Sequence, residues 1–147
     1  MLRKLIETDD SLAGFVLRIM LGIVFFPHGA QKMLGWYGGQ GLQTTIAGFG
    51  SQGIPAFLAY LVVFAEFFGS LGLVLGLLTR IAALGIAVIM AVAIFMVHIR
   101  FGFFMNWVGN QPGEGFEYHL LAIAIAVALL IRGGERWSID GWLARRS

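Results

Sequence analysis

The residues able to do chemistry in this chain are few, and they stand in surroundings that do not tolerate them without partners. Residues 17–33 form a long apolar run with Arg18 inside it and His28, Gln31 and Lys32 near its far end. At roughly 100° per residue, Arg18, Phe25, His28 and Lys32 share one helical sector about 80° wide. A polar stripe on a bilayer-length segment needs partners from other helices, or water in a cavity. Glu66 lies eleven residues into a second apolar run, about 16 Å along a helix. An unpaired carboxylate at that depth is costly and tends to be protonated. Arg18 enters from the opposite side, so a buried Arg18–Glu66 pair is the expectation. Such a pair is either a static fixture of helix register or a carboxylate that carries protons or touches a ligand.

A second polar set belongs to the other end of the first helix. His28, Gln31 and Lys32 leave that helix there, His98 and Arg100 leave the third, and Glu114, Glu117 and His119 enter the fourth. Three helices bringing these side chains to one depth predict a pocket for a small polar or quinone-like head group. His119 lies about 160° from Glu117 around its helix and is expected to face water and headgroups instead. His28 and His98, on different helices at similar depth, also allow haem ligation, and a metal held by both with Glu117 is a further alternative. No glycine-rich phosphate loop and no Ser/His/Asp arrangement is visible.

Composition says what must position these groups. Of 147 residues 59% are hydrophobic and 12% charged, with mean hydropathy +0.84; a soluble domain carries about 25% charged residues. The chain is therefore read as one all-α integral membrane unit, residues 1–147, a four-helix bundle with helices at about 12–34, 55–78, 80–100 and 116–132. The fourth is short, because its unbroken apolar run covers only residues 120–131. Residues 42–49 suggest a short amphipathic turn, and residues 137–142 a tail along the interface. With both termini cytoplasmic, Arg3, Lys4, Arg80, Arg132, Arg136, Arg145 and Arg146 fall inside, against Lys32 and Arg100 outside. That is a positive-inside bias. It explains the net charge of +2 without nucleic acid as a partner. Glu7, Asp9, Asp10 and the Arg within the apolar run argue against a cleaved signal peptide. Cys is absent, which excludes internal disulfides and thiol chemistry by this chain.

The residues also carry a resemblance. Leu17-Arg18-Ile-Met-Leu-Gly22, His28-Gly29-Ala-Gln-Lys32, Ala65-Glu66-Phe-Phe-Gly69, Gly76-Leu-Leu-Thr79-Arg80, the region of His98, Gly113-Glu-Gly-Phe-Glu117-Tyr-His119 and Trp137-Ser-Ile-Asp140 resemble the DoxX family of small bacterial membrane proteins. Ser70 stands where a second glycine is frequent. The resemblance implies four transmembrane helices, a multi-pass place in the bacterial inner membrane, and members labelled as oxidoreductases. Relatives include the membrane subunit of a thiosulfate:quinone oxidoreductase and a scaffold joining superoxide dismutase to a sulfurtransferase. Three functions stay open. One is a membrane subunit or accessory of a quinone-linked oxidoreductase without its own redox centre, with His28, Gln31, Lys32, His98 and Glu117 around the head group and Glu66 and Arg18 tuning or relaying a proton. Another is a binding or transport protein for a small amphiphile or solute. The third is an assembly scaffold for a soluble redox enzyme.

Overall fold

The computed structural model describes residues 6–146. Its helices run in order α1 (Leu12–Leu34), α2 (Gly41–Ser51), α3 (Ala56–Leu75), α4 (Thr79–Ala93), α5 (Glu117–Arg132) and α6 (Ile139–Ala144). A π-helical turn (Ile94–His98) and a 3₁₀ turn (Ile99–Phe101) continue α4. Local chemistry sets the ends. The Ser11 hydroxyl accepts from Gly14 N–H at 3.2 Å to cap α1. Gly35 closes α1 and Gly76 closes α3, both in the left-handed conformation that glycine adopts without a Cβ penalty. The expected α1 bounds match. α3 stops three residues earlier than expected, and residues 41–51 form a complete helix rather than a turn.

Helices α1, α3, α4 and α5 pack side by side in a closed ring, α1 on α3, α3 on α4, α4 on α5 and α5 on α1. Their shared interior is Leu21, Phe25, Leu73, Ala83, Ile86, Met90, Ala126 and Leu129, with Ala82 and Ala122. The outward faces are equally apolar, and Ile23, Leu61, Ile81 and Leu121 are at least 50% exposed. Water penalises such a surface and lipid does not. Three segments, Leu12–Leu34, Ala56–Leu75 and Thr79–Phe101, are long and apolar enough to cross a bilayer. α5, with 16 residues, is about 24 Å long, shorter than the roughly 30 Å hydrocarbon core. The chain is a membrane protein with three candidate spans.

The closest helix approach is made by glycines of α1. A Cβ on Gly29 would stand 2.6 Å from Phe67 Cα, and one on Gly22 would stand 3.0 Å from the Ser70 carbonyl. The two are seven residues apart, two turns on one face. They fix an antiparallel register, Gly29 level with Glu66–Phe67 and Gly22 level with Ser70–Val74. On α3, Gly69 faces Ala82 of α4 with ordinary van der Waals room, 3.9 Å.

The C-terminal tail folds back on the end of the bundle. Glu135 and Trp137 take left-handed backbone conformations, φ 59° and 53°, and turn the chain back under the bundle. Asp140 is fully buried there. Its carboxylate accepts from Leu78 N–H and Thr79 N–H, each at 2.8 Å, and its own N–H donates to Gly76 C=O at 2.9 Å. It thus satisfies donors at the start of α4 that the helix cannot satisfy itself. Glu135 does the same for α1, accepting from Ser11 N–H at 3.0 Å. A periodicity argument sees only helices and could not find a residue whose role is to cap two of them from over 60 positions away.

Candidate functional site

At the end of the ring where α1 finishes, the mouth end, the helices enclose a cavity of about 570 Å³. Val24, Val62, Val88, Val92 and Met96 make much of its wall apolar. The polar contributions come from α1 (His28, Lys32), α3 (Glu66), the π turn (His98), the 102–116 loop (Glu114) and the first turn of α5 (Tyr118, His119). His28, Lys32, Glu66 and His98, chosen from sequence, therefore meet on one surface.

Glu66 does not pair with Arg18. Its partner is Lys32, whose ammonium donates to Oε2 in a close ion pair. The α1–α3 register explains this. Glu66 is level with Gly29, so Lys32 lies about one turn towards the mouth and Arg18 about three turns the other way. The Glu66 side chain is 5% exposed and that of Lys32 29%, so the carboxylate is buried and the ammonium reaches the cavity. A depth count gives height along each helix but not the offset between helices, and that offset decided the pairing.

Arg18 is fully buried at the opposite end and takes no part in the cavity wall. Its Nη1 donates to the carbonyls of Leu73 (2.6 Å) and Val74 (3.0 Å), and its Nη2 to those of Arg136 (3.2 Å) and Trp137 (3.3 Å). Two of these carbonyls end α3 and two belong to the returning tail. Asp140 and Glu135 supply the nearby negative charge. The guanidinium fork thus ties α1, α3 and the tail together, and the expectation that Arg18 tunes a proton at Glu66 is corrected on geometry. The visible signal was an arginine on α1 facing the C-terminal carbonyls of a neighbouring helix.

Two other expected residues lie off the cavity. Gln31 Nε2 donates to Tyr37 C=O at 3.2 Å. Glu117 turns towards the loop, where its Oε1 accepts from Met105 N–H (2.8 Å) and the Trp107 indole N–H (3.2 Å). It organises the loop and does not meet the histidines, and among the described residues no three His, Asp or Glu side chains gather as a metal site. His119, expected to face water, is instead 6% exposed. The 160° separation between Glu117 and His119 was sound, but the inward face was assigned to the wrong member. The His98 and His119 rings meet at a tilt of 43°, with centroids 4.0 Å apart. His98 Nδ1 lies 2.8 Å from the Glu114 carbonyl, which leaves Nε2 as its one nitrogen able to meet a guest, haem iron included.

Relatives can be set beside this geometry. The sequence profile of the DoxX family matches residues 13–99. A Bacillus subtilis (strain 168) protein named "Putative oxidoreductase CatD" is 37% identical over 119 residues, covering 81% of this chain and 79% of its own. The Escherichia coli (strain K12) "Inner membrane protein YqjF" is 33% identical over 137 residues, covering 93% of this chain and 96% of its own. No solved structure matches the chain significantly. The profile spans most of α1 to α4, the helices that carry His28, Lys32, Glu66 and His98, and by these measures the chain belongs to the DoxX family.

Proposed function

We propose that this chain is a multi-pass protein of the bacterial inner membrane, with both termini in the cytoplasm, whose cavity holds the polar head of a membrane-soluble quinone. On this reading it is the membrane subunit or accessory of a quinone-linked oxidoreductase, and a partner protein supplies the redox centre. The observation that carries the reading is the Lys32–Glu66 ion pair set in an otherwise apolar cavity beside His28 and His98. Small-molecule sites are mostly apolar, with a few polar groups that orient the guest. Lys32 gives one donor to Glu66, which holds the ammonium in place, and has two left for a head-group carbonyl. Valine and methionine walls suit a ring and the first units of a lipid tail. The names of CatD and YqjF support a redox role and an inner-membrane site. Of the basic residues that favour internal termini, Arg3 and Lys4 lie outside the described residues.

The test is extraction of small molecules from the protein purified out of native-like membranes, with mass spectrometry and oxidised and reduced absorption spectra. A quinone near one per chain, lost in Lys32→Met, supports the reading. A different lipid or solute in the same cavity makes this a binding or transport protein. An empty cavity with a co-purifying soluble enzyme makes it a scaffold.

A further inference from the structure

Within the cavity just assigned to a lipophilic guest, the hydrogen-bond polarity of His98 is fixed, and it selects which form of guest fits. A carbonyl oxygen can only accept, so the 2.8 Å contact between His98 Nδ1 and Glu114 C=O requires Nδ1 to carry the proton. In the neutral imidazole the other nitrogen is then an acceptor. Among the described residues His98 Nε2 has no hydrogen-bond partner, and His98 lines the cavity. The ring is held from two sides. Glu114 C=O belongs to the loop whose carboxylate also accepts from Asn106 N–H at 2.8 Å. The His119 ring packs against that of His98, with centroids 4.0 Å apart and planes tilted by 43°.

We infer that His98 Nε2 is a preset acceptor for a ring hydroxyl, and that the cavity favours the hydroxylated, quinol-like form of its guest over the carbonyl, quinone-like form. A carbonyl placed at Nε2 opposes lone pair to lone pair and leaves both groups unpaired. A hydroxyl placed there donates. Lys32 serves the opposite purpose, as a donor to an oxygen elsewhere on the head group. The inference rests on the cavity reading above and adds to it the form of the ligand and the role of His98.

The experiment uses the full chain in lipid nanodiscs under anaerobic conditions. The probes are a short-chain benzoquinone, its hydroquinone, and the hydroquinone's di-O-methyl ether, which keeps shape and loses both donors. The wild-type protein should bind the hydroquinone about tenfold more tightly than either other probe. For a two-electron couple that is a rise of about 30 mV in the midpoint potential of the bound pair. His98→Phe keeps a ring against His119 and removes the acceptor, so it should bind all three probes within about twofold of one another. Histidine ¹⁵N NMR of the wild-type protein reads the same point without a variant. It should show a Nδ1–H tautomer at His98 whose Nε2 resonance moves with the hydroquinone and not with the ether. Equal binding of the three probes by the wild type overturns this inference and leaves the cavity reading standing. So does a hydroquinone preference that persists in His98→Phe, or an Nε2–H tautomer. Failure of all three probes to bind overturns the cavity reading and this inference with it.

Discussion

Replacing Asp140 with Ala should loosen the protein at three places from one position outside every candidate span. The Asp140 carboxylate holds Leu78 N–H and Thr79 N–H at 2.8 Å each and is fully buried. Hydrogen bonds to a charged group contribute about 1.5–3 kcal/mol each, and a buried donor left unpaired costs most of that. Two such bonds give about 3–6 kcal/mol, with a lower end for partial relaxation. Leu78, at φ 50°, adds to the loss, because its left-handed backbone is kept only while surrounding contacts over-determine it. Arg18 loses a nearby counter-charge as well. Asp140→Asn retains one acceptor oxygen and turns an amide N–H towards the other donor, so it should fall between Ala and the parent. The assay is reversible unfolding of the full chain in mixed micelles, paired with hydrogen exchange of the Leu78 and Thr79 amides. Exchange at both should quicken in Asp140→Ala before the rest of α4. A variant that unfolds within about 0.5 kcal/mol of the parent, with both amides still protected, refutes the tail as a cap.

Four further outcomes follow from the geometry. Lys32→Met strands the buried Glu66 carboxylate, whereas Glu66→Gln leaves an ammonium that still reaches the cavity, so the lysine variant should unfold more easily by about 1–3 kcal/mol in the same micelles. Replacing both by Leu should be milder than Lys32→Met. Gly29→Leu places atoms against the Phe67 backbone, which cannot move aside as a side chain would, and should cost at least about 1–3 kcal/mol. Trp107, 83% exposed on the mouth-end loop, should be quenched by lipids brominated near the headgroup more than by lipids brominated mid-chain. Because the chain has no cysteine, single cysteines report cleanly on topology: one at Asn110 should react with an impermeant maleimide in intact cells, and one at Arg146 only after permeabilisation.

What the sequence made legible was whatever depends on one helix at a time. The bounds of α1, the shortness of α5 and the meeting of His28, Lys32 and His98 at one mouth all come from hydropathy and height along a helix. The offset between helices escaped, because Gly22 and Gly29 set it by how closely two backbones approach. Arg18 was therefore assigned to Glu66, when α3 places Leu73 seven residues, about 10 Å, beyond it. The orientation of α5 escaped because Glu117 and His119 are both polar, and the loop amides that claim Glu117 belong to a segment without periodicity. The tail escaped for a similar reason. Its contacts are backbone carbonyls and amides, which every sequence contains and none advertises.

The return of residues 136–140 to Arg18 has a consequence for how the protein is made. The first helix carries a cation whose acceptors include two carbonyls that the ribosome adds about 118 residues later. At roughly 5–20 residues per second the wait is about 6–24 s. During that interval α1 sits in the membrane with Arg18 and the start of α4 incompletely partnered, recognisable to any protease that inspects polar groups in lipid. Arrival of residues 136–140 ends the exposure, and a messenger truncated before Trp137 should yield a chain that is degraded rather than stored.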